Sequence, residues 1–79
     1  MNKEKLLYTI EAFDQVDATE IAETLEVNYS VVAMGLLRLV RQDLAARHID
    51  PVTQLYVYEI TPKGEARLDY FLEGELDDR

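Results

Sequence analysis

The chain has no cysteine and no tryptophan, and its 79 residues include only three glycines, two prolines and one histidine. Each scarcity removes a class of answer. Without cysteine there is no disulfide, no thiolate nucleophile and no thiolate metal site, and the redox compartment stays open. The single histidine, His48, and the single serine, Ser30, stand nearly a whole helix apart, so no nucleophile–base pair is suggested and an enzyme is not expected. One histidine argues equally against a zinc-type site, and the carboxylates show no calcium-loop spacing, so no metal is expected. The glycines stand alone at 35, 64 and 74, which leaves no Gly-rich phosphate loop and implies no cofactor. No apolar run is long enough to span a membrane, and Met1-Asn2-Lys3-Glu4 opens straight into an amphipathic helix. Neither a signal peptide nor a transmembrane segment is expected, and a cytoplasmic protein is the default.

Positive charge is the other scarcity. Eight Lys and Arg face sixteen Asp and Glu, for a net charge of −8. That balance works against nucleic-acid binding, because such domains are usually basic. Its distribution softens the objection: residues 1–26 carry −5, residues 50–79 carry −5, and residues 27–49 carry +2 through Arg38, Arg41 and Arg47 against Asp43. Screening limits the reach of exposed charges to about 8–10 Å at physiological salt, so a docked phosphate responds to the local balance more than to the total.

Nearly half of the residues are hydrophobic, which is enough for one globular domain near the lower size limit for a single core. The pattern places that domain over residues 1–74, with a frayed acidic tail at 75–79. The stretch that organises it runs from Asn28 to about Ala46. At helical period Tyr29, Val32, Leu36, Leu39, Val40 and Asp43 share one side, with Leu44 at its edge: an apolar stripe fit to face a core, with Asp43 out of place. Ser30, Val31, Met34, Arg38, Arg41 and Ala45 share the other side, which is small and apolar at first, basic later, and free of acid. In so acidic a chain, an acid-free exposed face reads as a recognition surface.

Before it, the spacing predicts a helix over Lys3–Phe13 with Leu6, Ile10 and Phe13 inward and Leu7 flanking, then a loop over Asp14–Asp17. Asp17-Ala18-Thr19-Glu20 has the form of a capping box for a second helix, Ala18–Leu25, burying Ile21, Ala22 and Leu25. Glu26-Val27-Asn28 is a short turn, with Asn28 placed to cap the third helix, so the two helices match the helix-turn-helix pattern. After Ala46 the period falls to two: Arg47–Ile49 and Leu55–Ile60 read as the strands of a hairpin whose turn is Asp50–Gln54. Thr61-Pro62 then opens a last helix, threonine as cap and proline at the first position, with Leu68, Phe71 and Leu72 inward and Gly74 ending it. The expected core is Leu6, Ile10, Phe13, Ile21, Leu25, Val32, Leu36, Leu39, Ile60, Leu68 and Phe71.

The order helix, helix, helix, hairpin, helix gives an α+β, mostly α domain. Three segments carry a resemblance: Ile21-Ala22-Glu23-Thr24-Leu25-Glu26-Val27, Leu36-Leu37-Arg38-Leu39-Val40, and most strongly Tyr58-Glu59-Ile60-Thr61-Pro62-Lys63-Gly64-Glu65. Over about residues 5–72 the chain resembles the winged helix-turn-helix domain of MarR-type and related prokaryotic transcriptional regulators. The resemblance implies a three-helix core, a β-hairpin wing and a C-terminal helix. Two departures stand out. Glu26 and Asp43 occupy turn positions where the family often has glycine, so either those turns avoid positive φ or they carry strain. The wing tip, Pro51–Gln54, lacks the Lys or Arg that commonly reaches a neighbouring groove.

The function the resemblance implies is DNA-binding transcription regulation. A helix in the major groove presents its N-terminal exposed residues to base edges while basic groups hold phosphates. This assigns Asn28, Tyr29, Ser30, Val31 and Met34 to bases and Arg38, Arg41, Arg47 and Lys63 to the backbone of double-stranded DNA. The competing reading is a winged-helix protein-interaction module that binds no DNA, using the exposed Val31/Met34 face and the acidic surface toward a basic protein partner. Tyr8 and Ala12 lie off the core stripe of the first helix, as Ala66 and Tyr70 do on the last, which suggests a homodimer seam there; the family's dimers also tend to pair through terminal helices.

Overall fold

Asn2 starts the chain's first helix by accepting, through its side chain, the backbone N–H of Lys5 at 2.8 Å. A computed structural model describes residues 2–77, with side-chain surroundings to Phe71. Its elements are α1 (Lys3–Phe13), β1 (Val16–Asp17), α2 (Ala18–Leu25), α3 (Tyr29–Arg41), β2 (Ala45–Ile49), β3 (Tyr56–Ile60) and α4 (Pro62–Asp77). The helices pack around a small antiparallel sheet of order β1-β3-β2. The architecture is the α+β winged helix, with the β2–β3 hairpin as its wing.

The segment expected as a loop before α2 is part of that sheet. At Asp14 the chain makes a γ-turn, φ 71° and ψ −69°, in which the Gln15 N–H donates to the Phe13 carbonyl at 2.8 Å. The reversal delivers Val16 opposite Tyr58 and Asp17 opposite Val57. Two residues are too few for a period to be read from sequence, and only β3 supplies their partners. Asp17 then serves α2 as foreseen: its carboxylate accepts the Glu20 N–H at 2.9 Å and the Glu20 carboxylate accepts the Asp17 N–H at 3.5 Å.

Helix α3 is shorter than its stripe suggested, ending at Arg41 and not near Ala46. Asp43 adopts φ 62°, while the Asp43 N–H donates to Val40 O at 3.0 Å and the Leu44 N–H to Leu39 O at 2.9 Å. That closing motif turns the chain and buries Leu44 beside Leu39. Ala45, expected on the helix's exposed face, is instead the buried first residue of β2, and Ala46 is a strand residue too. The same closure ends α2: Glu26 sits at φ 54°, ψ 46°, and the Val27 N–H donates to Ala22 O at 3.1 Å. Both turns therefore adopt the left-handed conformation with an acid where glycine would sit without strain.

Leu6, Leu7, Ile10, Val16, Ile21, Val32, Leu36, Leu39, Leu44 and Leu68 form the buried centre, with Leu25, Ile60 and Phe71 packed partly against it. Phe13 does not join them: it is 42% exposed, because the turn at Asp14 ends α1 before that last position meets a neighbour. Leu7, expected only to flank, is fully buried between the two faces that α1 presents. Helix α4 continues through Gly74 to Asp77, so that glycine is a helix residue and not a stop; Leu72's side chain and the last two residues of the expected tail lie outside what is described.

The junction into α4 explains the strongest of the three sequence segments. The Thr61 hydroxyl accepts the Gly64 N–H at 3.0 Å and donates to Asp43 O at 2.7 Å, while the Thr61 N–H donates to Leu44 O at 3.2 Å. A Cβ on Gly64 would collide with the Leu44 carbonyl, so only glycine lets the first turn of α4 sit there.

Leu36 is fully buried at the middle of α3. Leu36→Ala should cost about 2–5 kcal/mol and can unfold a domain this small; an unchanged thermal melt would contradict the packing described. Glu26→Gly should act the other way, relieving the left-handed turn for a net gain of about 0.5–1 kcal/mol after glycine's larger backbone entropy loss, read as a rise of a few degrees in Tm.

Candidate nucleic-acid interface

The outer face of α3 is built from its cap forward. Asn28 stands outside the helix at φ −58°, ψ 135°, and its Oδ1 accepts both the Ser30 N–H at 2.9 Å and the Ser30 hydroxyl at 2.7 Å. No acid occupies the first turn, so the positive end of the helix dipole is left open to an anion. Val32, Leu36 and Leu39 hold the inner side, which forces Val31, Met34, Arg38 and Arg41 outward. Behind the helix, Gly35 lies against Leu6 of α1 so closely that a Cβ would come within 2.8 Å of the leucine methyl. This contact lets α3 and α1 approach closely at that position.

Ser30, Val31, Met34, Gly35 and Arg38 line one shallow groove along the helix. Val31 is 42% and Met34 52% exposed. Four of the residues expected at the interface are thus gathered on one surface in the expected order, apolar and small first, then basic. Arg38 and Arg41 also lie in the last turn, where positive charge offsets the helix dipole, so part of their effect is on α3 itself.

The remaining expected residues are placed differently. Tyr29 is 57% exposed, although the period set it on the core stripe, and it lines a cleft toward the wing with Thr19, Leu55 and Tyr56, apart from the Ser30–Arg38 groove. Arg47 is exposed on β2, with its guanidinium 4.2 Å from the centre of the Tyr56 ring, a cation–π contact that holds it along the wing. Lys63 is exposed in the first turn of α4 and lines neither surface.

The wing was read from sequence only as strands and a turn, and its apolar side was missed. Asp50 organises the tip, its carboxylate accepting the Val52 N–H at 2.8 Å, and leaves Val52 88% exposed, with Ile49, Leu55 and Tyr56 exposed below it. The signal existed in the unbroken apolar run from Leu55 to Tyr58, where alternation alone cannot say which parity faces out. Tyr8, Ala12, Ala66 and Tyr70 are all exposed on α1 and α4. Tyr8 lines a groove between those helices whose other walls are Glu11, Glu65, Leu68 and Asp69. No helix among the described residues is long and apolar enough to cross a membrane.

No protein-family model and no curated protein sequence matches the chain significantly. Solved structures do. YusO from Bacillus subtilis superposes with a TM-score of 0.87 at 25% identity, over 91% of this chain and 52% of its own. The transcriptional regulator SlyA gives 0.85 at 18% identity, over 95% and 54%. A mutant MarR from E. coli, in a crystal structure complexed with operator DNA, gives 0.81 at 22% identity, over 86% and 49%. The fold is therefore that of MarR-type winged-helix structures, and the chain spans about half the length of those it matches.

Proposed function

We propose that this chain is a DNA-binding transcriptional regulator, or the DNA-docking part of one, and that α3 enters the major groove. The observation that carries the reading is the acid-free outer face of α3 on a fold shared with a protein crystallised on operator DNA. In this reading Asn28, Ser30, Val31 and Met34 meet base edges, with Tyr29 at the side toward the wing. Arg38, Arg41, Arg47 and Lys63 meet phosphates. With no basic residue at the wing tip, three or four phosphate contacts make binding weak and moderately salt-dependent.

The exposure of Val31 and Met34 favours one rival: a partner-protein surface in place of a groove-reading helix, suited by the net charge of −8 to a basic partner. A gel shift on mixed genomic fragments at low and moderate salt separates the two, since a salt-sensitive shift belongs to DNA and its absence to the protein partner. Arg38→Ala and Arg41→Ala should each weaken binding to all sequences alike and reduce the slope of log affinity against log salt by about 0.9 per lost phosphate contact. Parent-like binding by both variants would exclude groove docking by this face.

The same reading pairs two copies through α1 and α4, with Tyr8, Ala12, Ala66 and Tyr70 at the seam. Both tyrosines are exposed. To dock on successive turns of DNA, a two-fold there would have to place the two α3 helices about 34 Å apart. Glu11, Glu65 and Asp69 border Tyr8, so like charges oppose the pairing and salt should strengthen it. Sedimentation velocity at micromolar concentration is expected to find a dimer whose fraction rises with salt. A monomer at every salt concentration excludes the seam.

A further inference from the structure

The hydrogen-bonding groups at the front of α3 are largely committed within the chain. Asn28 Oδ1 accepts twice from Ser30, at 2.9 Å and 2.7 Å, and the second of these bonds uses the only proton of the Ser30 hydroxyl. Reading adenine with asparagine needs that oxygen for the N6 amine together with the amide nitrogen for N7, and here the oxygen is occupied. Reading guanine by a bidentate contact needs arginine or lysine, and none stands on α3 before Arg38 in its last turn. Over the first two turns Tyr29 is exposed toward the wing, and the side chains that border the groove with Ser30 are Val31 and Met34. An apolar side chain at a major-groove base edge has one favourable partner, the C5-methyl of thymine.

We infer that α3 reads thymine methyl groups through Val31 and Met34, and so selects a thymine-rich half-site with little sequence choice from hydrogen bonds. This rests on the DNA reading above. Asn28 keeps its two amide N–H donors, and thymine O4 accepts next to the methyl. Guanine would accept the same donors and offers nothing to Val31. Arg38, at the far end of the same groove, holds the backbone and adds no base preference.

The test starts from random-sequence duplexes two helical turns long, from which the 79-residue chain retains its preferred set. Retained duplexes are remade with uracil for thymine, position by position. Uracil keeps every hydrogen-bonding group of thymine and lacks only the methyl. Affinity should fall about fourfold at each contacted position, the effect of returning one methyl group to water. Val31→Ala and Met34→Ala, both at exposed positions and checked for an unchanged melt, should each abolish the thymine–uracil difference at its own position and keep the difference at the position read by the other. Equal binding of thymine and uracil duplexes overturns methyl readout while DNA docking stands. A difference that survives in both variants overturns the assignment to these two side chains. Retention of no duplex at any salt concentration overturns the inference and the DNA reading together.

Discussion

The structure depends on one close approach, the first turn of α4 against the Leu44 carbonyl. Gly64 permits it by having no Cβ, and Thr61 fixes it with three hydrogen bonds, to Asp43 O, Leu44 O and the Gly64 N–H. Ala45 begins β2 and pairs with Ile60 at the end of β3, so the same few residues close the base of the wing. The end of α3, the wing and α4 are thereby tied at one point. A chain of this size buries too little surface to fix the angles between its elements by hydrophobic packing alone. A polar clamp with defined geometry does so.

From that point the position of α3 follows. Its C-terminal end is held by the clamp and its middle by Leu36 and by the contact between Gly35 and Leu6. Its N-terminal end is set by the turn at Glu26 and the Asn28 cap. Two of these constraints use non-glycine residues in left-handed conformation, Glu26 and Asp43, a cost that the surrounding structure sustains. Val31, Met34, Arg38 and Arg41 are left exposed on the outer face.

Electrostatics and shape then act at different ranges. The chain as a whole carries −8, which slows approach to a polyanion. Residues 27–49 carry +2, and the helix dipole adds to it at the first turn of α3, which holds no acid. Attraction of this size would hold a polyanion only weakly.

Helices, caps and the hairpin were legible in the sequence because their signals are local: the Asp17–Glu20 box, the Asn28 cap, Thr61-Pro62, and the change from helical to alternating period after Ala46. The acid-free face, with Ser30, Val31, Met34 and Arg38 in sequence, was legible for the same reason. Tertiary structure alone decided the rest. Val16 and Asp17 are a strand only because Tyr58 and Val57 lie beside them. Period continues past Arg41, but the left-handed turn at Asp43 ends α3 there, since burying Leu44 and pairing Ala45 outweigh another helical turn. Phe13 and Tyr29 fit their helices' apolar stripes and are exposed, because a stripe specifies which side can be buried, while neighbours from elsewhere in the chain determine how far along it burial extends.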